Sequence, residues 1–313
     1  IPLDPGTILG PCPTMKIALT GANSSVGKIL LSHVAAQNDI DAVAGVRAQQ
    51  AVGTLPTSPR ITARVIRYDV DGLTPVLEGV SCVVHLAGIL IESKTCDYQT
   101  ANVEPTQAVV DACTRAHVNH IVFISALGAD PGSANRYLRS KGDAERVVAD
   151  SGISSTIIRT PILLGPGTAG ARALVGLASQ TSVKVLGGGH YSMRPLDVDD
   201  LSRAILHCCR TQADGVAVHE LVGPEPTTYR DLIRKTGQLM GNDVSVGALL
   251  VWAAKLGAAI VSRIRRGGMT PTVIDVITAD ETVRKNADID LGVTLTPLSV
   301  TLEHLLNETT DQP

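Results

Sequence analysis

Lys16-Ile17-Ala18-Leu19-Thr20-Gly21-Ala22-Asn23-Ser24-Ser25-Val26-Gly27 is the stretch that decides the fold. Its first five residues have the pattern of a short apolar strand, and residues 24–37 carry helical spacing. A glycine-bearing turn between a strand and a helix lets backbone amides approach a pyrophosphate, and the helix N-terminus adds partial positive charge. Gly21, Asn23, Ser24, Ser25, Val26 and Gly27 are therefore expected to hold a dinucleotide. Ser24 stands where a T-G-x-x-G-x-x-G pattern has its middle glycine. Serine can hydrogen-bond a phosphate, but its Cβ resists some backbone angles.

The same alternation continues outward from this turn. Residues 42–46, 61–68, 82–87, 121–125 and 155–159 are further strand-like runs, with helical patterns over 103–116 and around Tyr137. Near-continuous apolar strands separated by helices predict a parallel sheet covered on both faces. Right-handed crossovers then give an α/β, Rossmann-type doubly wound domain. We expect residues 1–14, with four prolines, to be a disordered extension. Residues 15–160 form the NAD(P)-binding domain in this reading, and 161–313 a smaller C-terminal substrate lobe interleaved with the sheet. Later helices are expected over 199–209, 229–240 and 247–264.

Composition narrows the function. The 313 residues are 44% apolar and 18% charged, with a net charge of −3, which gives no electrostatic case for nucleic acid. One Phe and one Trp leave no stacking platform for bases. The six cysteines show no C-x-x-C spacing, so no metal is expected, and a reducing cytoplasm is the simplest setting. Cys82 and Cys113 fall in apolar runs as small buried hydrophobes. No uncharged apolar run reaches the about 20 residues a membrane span needs.

Two further features point to chemistry. Arg47 follows the second strand, where an acidic residue would suit the ribose hydroxyl of NAD and an arginine suits the phosphate of NADP. NADP(H) is accordingly favoured over NAD(H). Tyr137 and Lys141 lie four residues apart, on one face of a helix. A nearby ammonium favours the phenolate, so Lys141 is expected to lower the proton affinity of Tyr137. His85, on a strand, fits a satisfied core histidine, and Asp197, Asp199 and Asp200 fit a helix N-terminus.

With the glycine turn and Y-x-x-x-K in this order, the chain resembles the short-chain dehydrogenase/reductase superfamily from Met15 to about Glu303. His85-Leu86-Ala87-Gly88 is similar to the fourth-strand motif, Asn102-Val103 with Thr106 to N-V-x-x-T, and 151–161 to the S-G-x…R-P segment of the extended and atypical branches. Residues 194–200 and 221–224 are similar to later motifs of those branches. Ser125-Ala126-Leu127-Gly128-Ala129 with Arg136-Tyr137-Leu138-Arg139-Ser140-Lys141 resembles the atypical branch that includes the NADPH-binding accessory subunit of respiratory complex I.

The resemblance implies roles. Tyr137 would be the acid/base, Lys141 would hold the nicotinamide ribose and tune Tyr137, and Ser125 would orient a substrate oxygen, although Ala126 replaces a second hydroxyl found in many relatives. Asp69 and Val70 would flank the adenine. Leu86, Ala87, Gly88 and Asn102 would lie against the cofactor, and Thr160, Pro161 and Ile162 would close over the nicotinamide. The implied activity is NADP(H)-dependent oxidoreduction of a small-molecule carbonyl or alcohol, in a pocket lined by 89–91 and 163–174. Nucleotide-sugar epimerase or dehydratase action, with Arg172 and Arg194 available for a diphosphate, is one alternative; a non-catalytic NADPH-binding module is another. The apolar run 247–261, followed by Arg263, Arg265 and Arg266, is expected to pack on its own domain rather than on a membrane surface. The chain is expected to be a monomer or homodimer.

Overall fold

A computed structural model describes residues 14–264 and 268–310. The expected extension, apart from Thr14, and Arg265 and Arg266 lie outside the described residues. The sheet strands are β1 (Met15–Thr20), β2 (Ile40–Val46), β3 (Ile61–Val65), β4 (Cys82–His85), β5 (His120–Ala126), β6 (Ser154–Thr160) and β7 (Val216–Glu220). They pair in the order β7-β6-β5-β4-β1-β2-β3, all parallel. The strand order reverses between β1 and β4, which opens a crevice at the C-terminal edge of the sheet. Thr20 pairs with both Gly45 and His85, and Ala126 with Thr160, so the expected site residues share that edge.

Helices cover both faces because the strands are apolar on both. On one side α1 (Ser25–Ala35) and α6 (Val198–Thr211) bury Leu30, Leu31, Val34, Leu201 and Ile205 against Ile17, Leu19 and Ile158. On the other, α2 (Val70–Leu77), α3 (Glu104–Arg115) and α4 (Arg136–Ala149) pack Leu73, Val109 and Val148 on Val83, Ile121 and Phe123. Polar caps set where helices start: Ser24, Asp69, Asn135 and Asp197 each accept from amides of their own first turn.

The C-terminal half contributes both β7 and α6 to the sheet layer, so the two halves interleave. Its remaining core joins α5 (Ala169–Ala178), α7 (Tyr229–Leu239), α10 (Leu298–Thr310) and the parallel strands Ser182–Leu186 and Ser245–Leu249. The run expected to be one helix from 247 divides: Ser245–Leu249 is a strand, and only α8 (Val251–Ile264) is helical. Lys255 of α8 pairs with Asp275 of α9 (Pro271–Ile277). The seventh strand directly precedes the 221–224 motif; its Val216 and Val218 are half exposed, so the apolar run is weak.

Candidate functional site

The glycine turn is built by close approach. Gly21 has φ +74°, a conformation that L side chains rarely adopt, and a Cβ there would lie 3.2 Å from the amide nitrogen of Ala87. A Cβ on Gly27 would stand 2.6 Å from the carbonyl oxygen of Ala22, so α1 could not start so close to the turn with any other residue. Ser24 needs no glycine: φ −66° and ψ 161° are ordinary extended backbone, and its hydroxyl accepts from the Gly27 amide at 3.0 Å. The middle position of the motif is thus a helix cap here. Asn23, Ser25 and Val26 complete the turn and the first helical residues.

Arg47, exposed just beyond β2, lies with its guanidinium 4.8 Å from the ring centre of Tyr68. Tyr68 is largely buried, which pushes its phenol above the usual range, and the group is in reach of Thr20, Gly21 and Arg47. Residue-level reading missed Tyr68, although it directly precedes Asp69 in a chain with only five tyrosines. Asp69 caps α2 through the Gly72 amide at 2.7 Å and pairs with Arg67, and Val70 is the first residue of that helix.

His85 is held on both ring nitrogens. The Thr106 hydroxyl donates to the Asn102 carbonyl at 2.7 Å, so it accepts from His85 Nε2–H at 3.0 Å. His85 Nδ1 is then left to accept from the Thr20 hydroxyl at 2.5 Å. Burial, with the Lys141 and Arg47 charges, lowers the imidazole to about 3 and keeps it neutral. Its role is a buried brace between the glycine turn and the Asn102 segment.

Asn102 sits in a π-helical turn, Gln99–Val103, a local widening that often marks functional sites. Its side chain accepts from the Ile89 amide at 2.7 Å and donates to the Ser140 hydroxyl at 3.0 Å, tying the loop after β4 to α4. A Cβ on Gly88 would lie 3.1 Å from Asn102 Oδ1 and 3.7 Å from Lys141 Nζ. Gly88, Asn102 and Lys141 therefore meet at one point, with Leu86 and Ala87 leading back to Gly21.

Lys141 is buried, donates to the Ile124 carbonyl at 2.8 Å and lies 4.4 Å from the Phe123 ring centre. Burial lowers its ammonium to about 8, against an upward pull from Glu145. Tyr137 lies one turn before it, its ring 5.8 Å from that of Tyr98. Burial, with Tyr98 beside it, pushes the Tyr137 phenol up, not down as the spacing predicts. Lys141 is engaged with a backbone carbonyl and the Phe123 ring, while desolvation governs the phenol. Tyr98, with its own phenol at about 12 and donating to the Leu90 carbonyl, was another residue missed in sequence.

Ser125 is buried at the end of β5, and its hydroxyl has no hydrogen-bond partner among the described residues. The Thr160 hydroxyl donates to the Ser125 carbonyl at 3.3 Å. Beyond Pro161, the Ile162 amide donates to Glu281, whose carboxylate also accepts from the Arg194 amide at 2.7 Å. Burial raises the Glu281 carboxyl. Glu281 pins the Thr160–Ile162 loop from far along the chain, beyond the reach of a local motif.

A family model described as NAD(P)H-binding matches residues 21–185, more than half of the chain. The chain belongs to this NAD(P)H-binding family. Beyond that family, its sequence is distantly similar to a ceramide reductase and to complex I subunits. It is 25% identical over 232 residues to a protein of Caulobacter vibrioides named ceramide reductase, across 72% of this chain and 70% of that one. It is 23% identical to the 40 kDa subunit of NADH-ubiquinone oxidoreductase from Neurospora crassa, across 54% of this chain and 45% of that one. Among solved structures, MoeE5 with UDP-glucuronic acid and NAD superposes with a TM-score of 0.73, 22% identity and coverage of 94% and 99% of the two chains. A UDP-N-acetylglucosamine 4-epimerase from Bacillus cereus superposes at 0.70 with 14% identity over 96% and 98%. These likenesses establish the fold. Two of the three glycines of T-G-x-x-G-x-x-G are kept here as Gly21 and Gly27, with the middle position, Ser24, adapted as a cap.

Proposed function

We propose that this NAD(P)H-binding protein is an NADP(H)-dependent oxidoreductase acting on a carbonyl or alcohol. The observation that carries the reading is the meeting of Gly88, Asn102 and Lys141 at one point of the sheet edge, one helical turn from Tyr137. The close approaches at Gly21 and Gly27 fit a pyrophosphate at the start of α1. When bound, the nicotinamide supplies or accepts the hydride. Lys141 and Asn102 hold and orient the ribose side of the site, and Tyr137 Oη gives the proton to the substrate oxygen in reduction or takes it in oxidation. Arg47, fixed over Tyr68 with no acidic residue at the end of β2, supports the 2′-phosphate of NADP.

The epimerase alternative has less support. Arg194 donates to the Gly223 and Pro224 carbonyls and Arg172 to the Gly167 carbonyl, so both candidate diphosphate partners are engaged with backbone. A binding-only module is favoured by one observation: the residue after Ser125 is Ala126 rather than a second hydroxyl.

Two variants test the reading. Arg47→Ala is expected to weaken NADPH binding about tenfold or more while leaving NADH within a factor of two, by fluorescence titration. Tyr137→Phe is expected to keep NADPH binding and lose about 100-fold or more in turnover of a carbonyl substrate. Equal losses for both cofactors would refute the NADP preference, and unchanged turnover in Tyr137→Phe would refute its acid/base role.

A further inference from the structure

Tyr68 stands between the glycine turn and the end of β2. The Ile66 amide donates to the Val46 carbonyl at 2.8 Å, which carries the β2–β3 pairing one residue beyond Val65. Arg47 and Tyr68 therefore leave the sheet edge as neighbours, and the guanidinium lies over the Tyr68 ring, 4.8 Å from its centre. The same ring is tilted against the His85 imidazole at 6.4 Å, and its hydroxyl is in reach of Thr20 and the Gly21 amide. One side chain thus meets the glycine turn with its hydroxyl and an arginine with its face.

The charge on Arg47 is not taken up by the protein. The acids near it in the sheet are engaged elsewhere: Asp39 with Arg210, Asp41 with Arg60, and Asp69 with Arg67 and the Gly72 amide. Among the described residues Arg47 forms no ion pair, and it is exposed. A long exposed side chain loses rotamer freedom when it closes on an anion. A guanidinium already held over an aromatic face loses less, because part of the ordering precedes binding.

We propose that Tyr68 determines cofactor specificity: its ring positions Arg47 for the 2′-phosphate of NADP(H), and its hydroxyl ties that platform to the glycine turn. The inference rests on the NADP(H) reading and adds to it a residue that no local motif marks. Tyr68 is a positioning residue here, acting through Arg47. Without the ring, Arg47 keeps its charge and loses its place. Discrimination at the ribose 2′ position then falls, while affinity for the rest of the nucleotide stays.

Adenosine 2′,5′-bisphosphate and AMP differ only in the 2′-phosphate, and neither carries a nicotinamide. The ratio of their dissociation constants, by titration calorimetry, therefore reads this part of the site without turnover. In the parent the bisphosphate is expected to bind about tenfold or more tightly than AMP. Tyr68→Leu is expected to lower that ratio about fivefold with AMP affinity within about twofold of the parent. Tyr68→Phe keeps the ring and is expected to hold the ratio within about twofold. Added to Arg47→Ala, Tyr68→Leu is expected to change the ratio by no more than about 1.5-fold, since the arginine it positions is gone. Tyr68→Met, which fills the space without an aromatic face, replaces the leucine variant if that one does not fold. A ratio unchanged in the leucine or methionine variant would overturn the proposal. So would a comparable loss for both nucleotides, which would assign Tyr68 to packing, or a further fivefold loss in the Arg47→Ala background. The NADP(H) reading fails separately, through a parent that binds the two nucleotides equally, and the proposal falls with it.

Discussion

Lys141 illustrates how burial sets the working range of a single side chain. With its ammonium lowered to about 8, it is mostly charged at neutral pH and mostly neutral above that value. NADPH affinity is therefore expected to fall as pH rises through about 8, and to lose that dependence in Lys141→Met; titrations between pH 6.5 and 9.5 would check this. The stability effect has the opposite sign. The unfolded chain holds this proton up to about 10.4, so between about 8 and that value the unfolded state binds more protons and stability rises with pH. His85 behaves differently, because its two threonine partners and its burial keep it neutral throughout the range where proteins are handled.

At the scale of elements, α4 is anchored to β6 by a buried ion pair. Arg159 donates Nε–H to Glu145 Oε1 at 2.9 Å and a second N–H to Oε2 at 2.6 Å, and Glu145 is buried. Glu145→Gln removes one of the two carboxylates that face the guanidinium, Glu220 remaining 3.9 Å away, so a loss of about 2 kcal/mol in urea unfolding is expected. Because α4 carries Tyr137 and Lys141, a Tyr137-dependent activity should fall with it. Gly142 completes the anchorage: a Cβ there would lie 2.2 Å from the Pro131 nitrogen, so the helix and the loop after β5 close on each other only through glycine. How much of this was legible in sequence follows from how local each signal is. The first strand and glycine turn are contiguous, and apolar period and turn chemistry place them without tertiary information. The Tyr137–Lys141 spacing likewise gives their shared helix, but not the pKa direction of Tyr137, which depends on burial beside Tyr98. Glu281 and Tyr68 are set by partners more than one element away. The helix expected from 247 began late because Ser245–Leu249 found a parallel partner in Ser182–Leu186.

At the scale of the whole molecule, the seven-stranded sheet is written by two stretches of chain. Since β7 and α6 come from the C-terminal half and pack into the sheet layer, cofactor and fold are coupled across the chain. NADPH at about 100 times its dissociation constant adds roughly 2.7 kcal/mol of stability. In a chain of this size that corresponds to an upward shift of about 4 °C, expected as a single cooperative transition in calorimetry. Two separate transitions, with only the first moved by NADPH, would show that the halves unfold independently.

The placement of β7 at the edge also sets an order of events during synthesis. β6 is complete at Thr160, yet the strand that covers its outer edge, Val216–Glu220, emerges only after the next 55 residues. During that interval β6 offers unpaired amides and carbonyls to any neighbouring nascent chain. Residues 1–185, which include every glycine-turn and Tyr137-helix feature, are accordingly expected to aggregate when expressed alone, whereas 1–225 should yield more soluble material. The edge, and not the cofactor motif, decides where this chain can be cut.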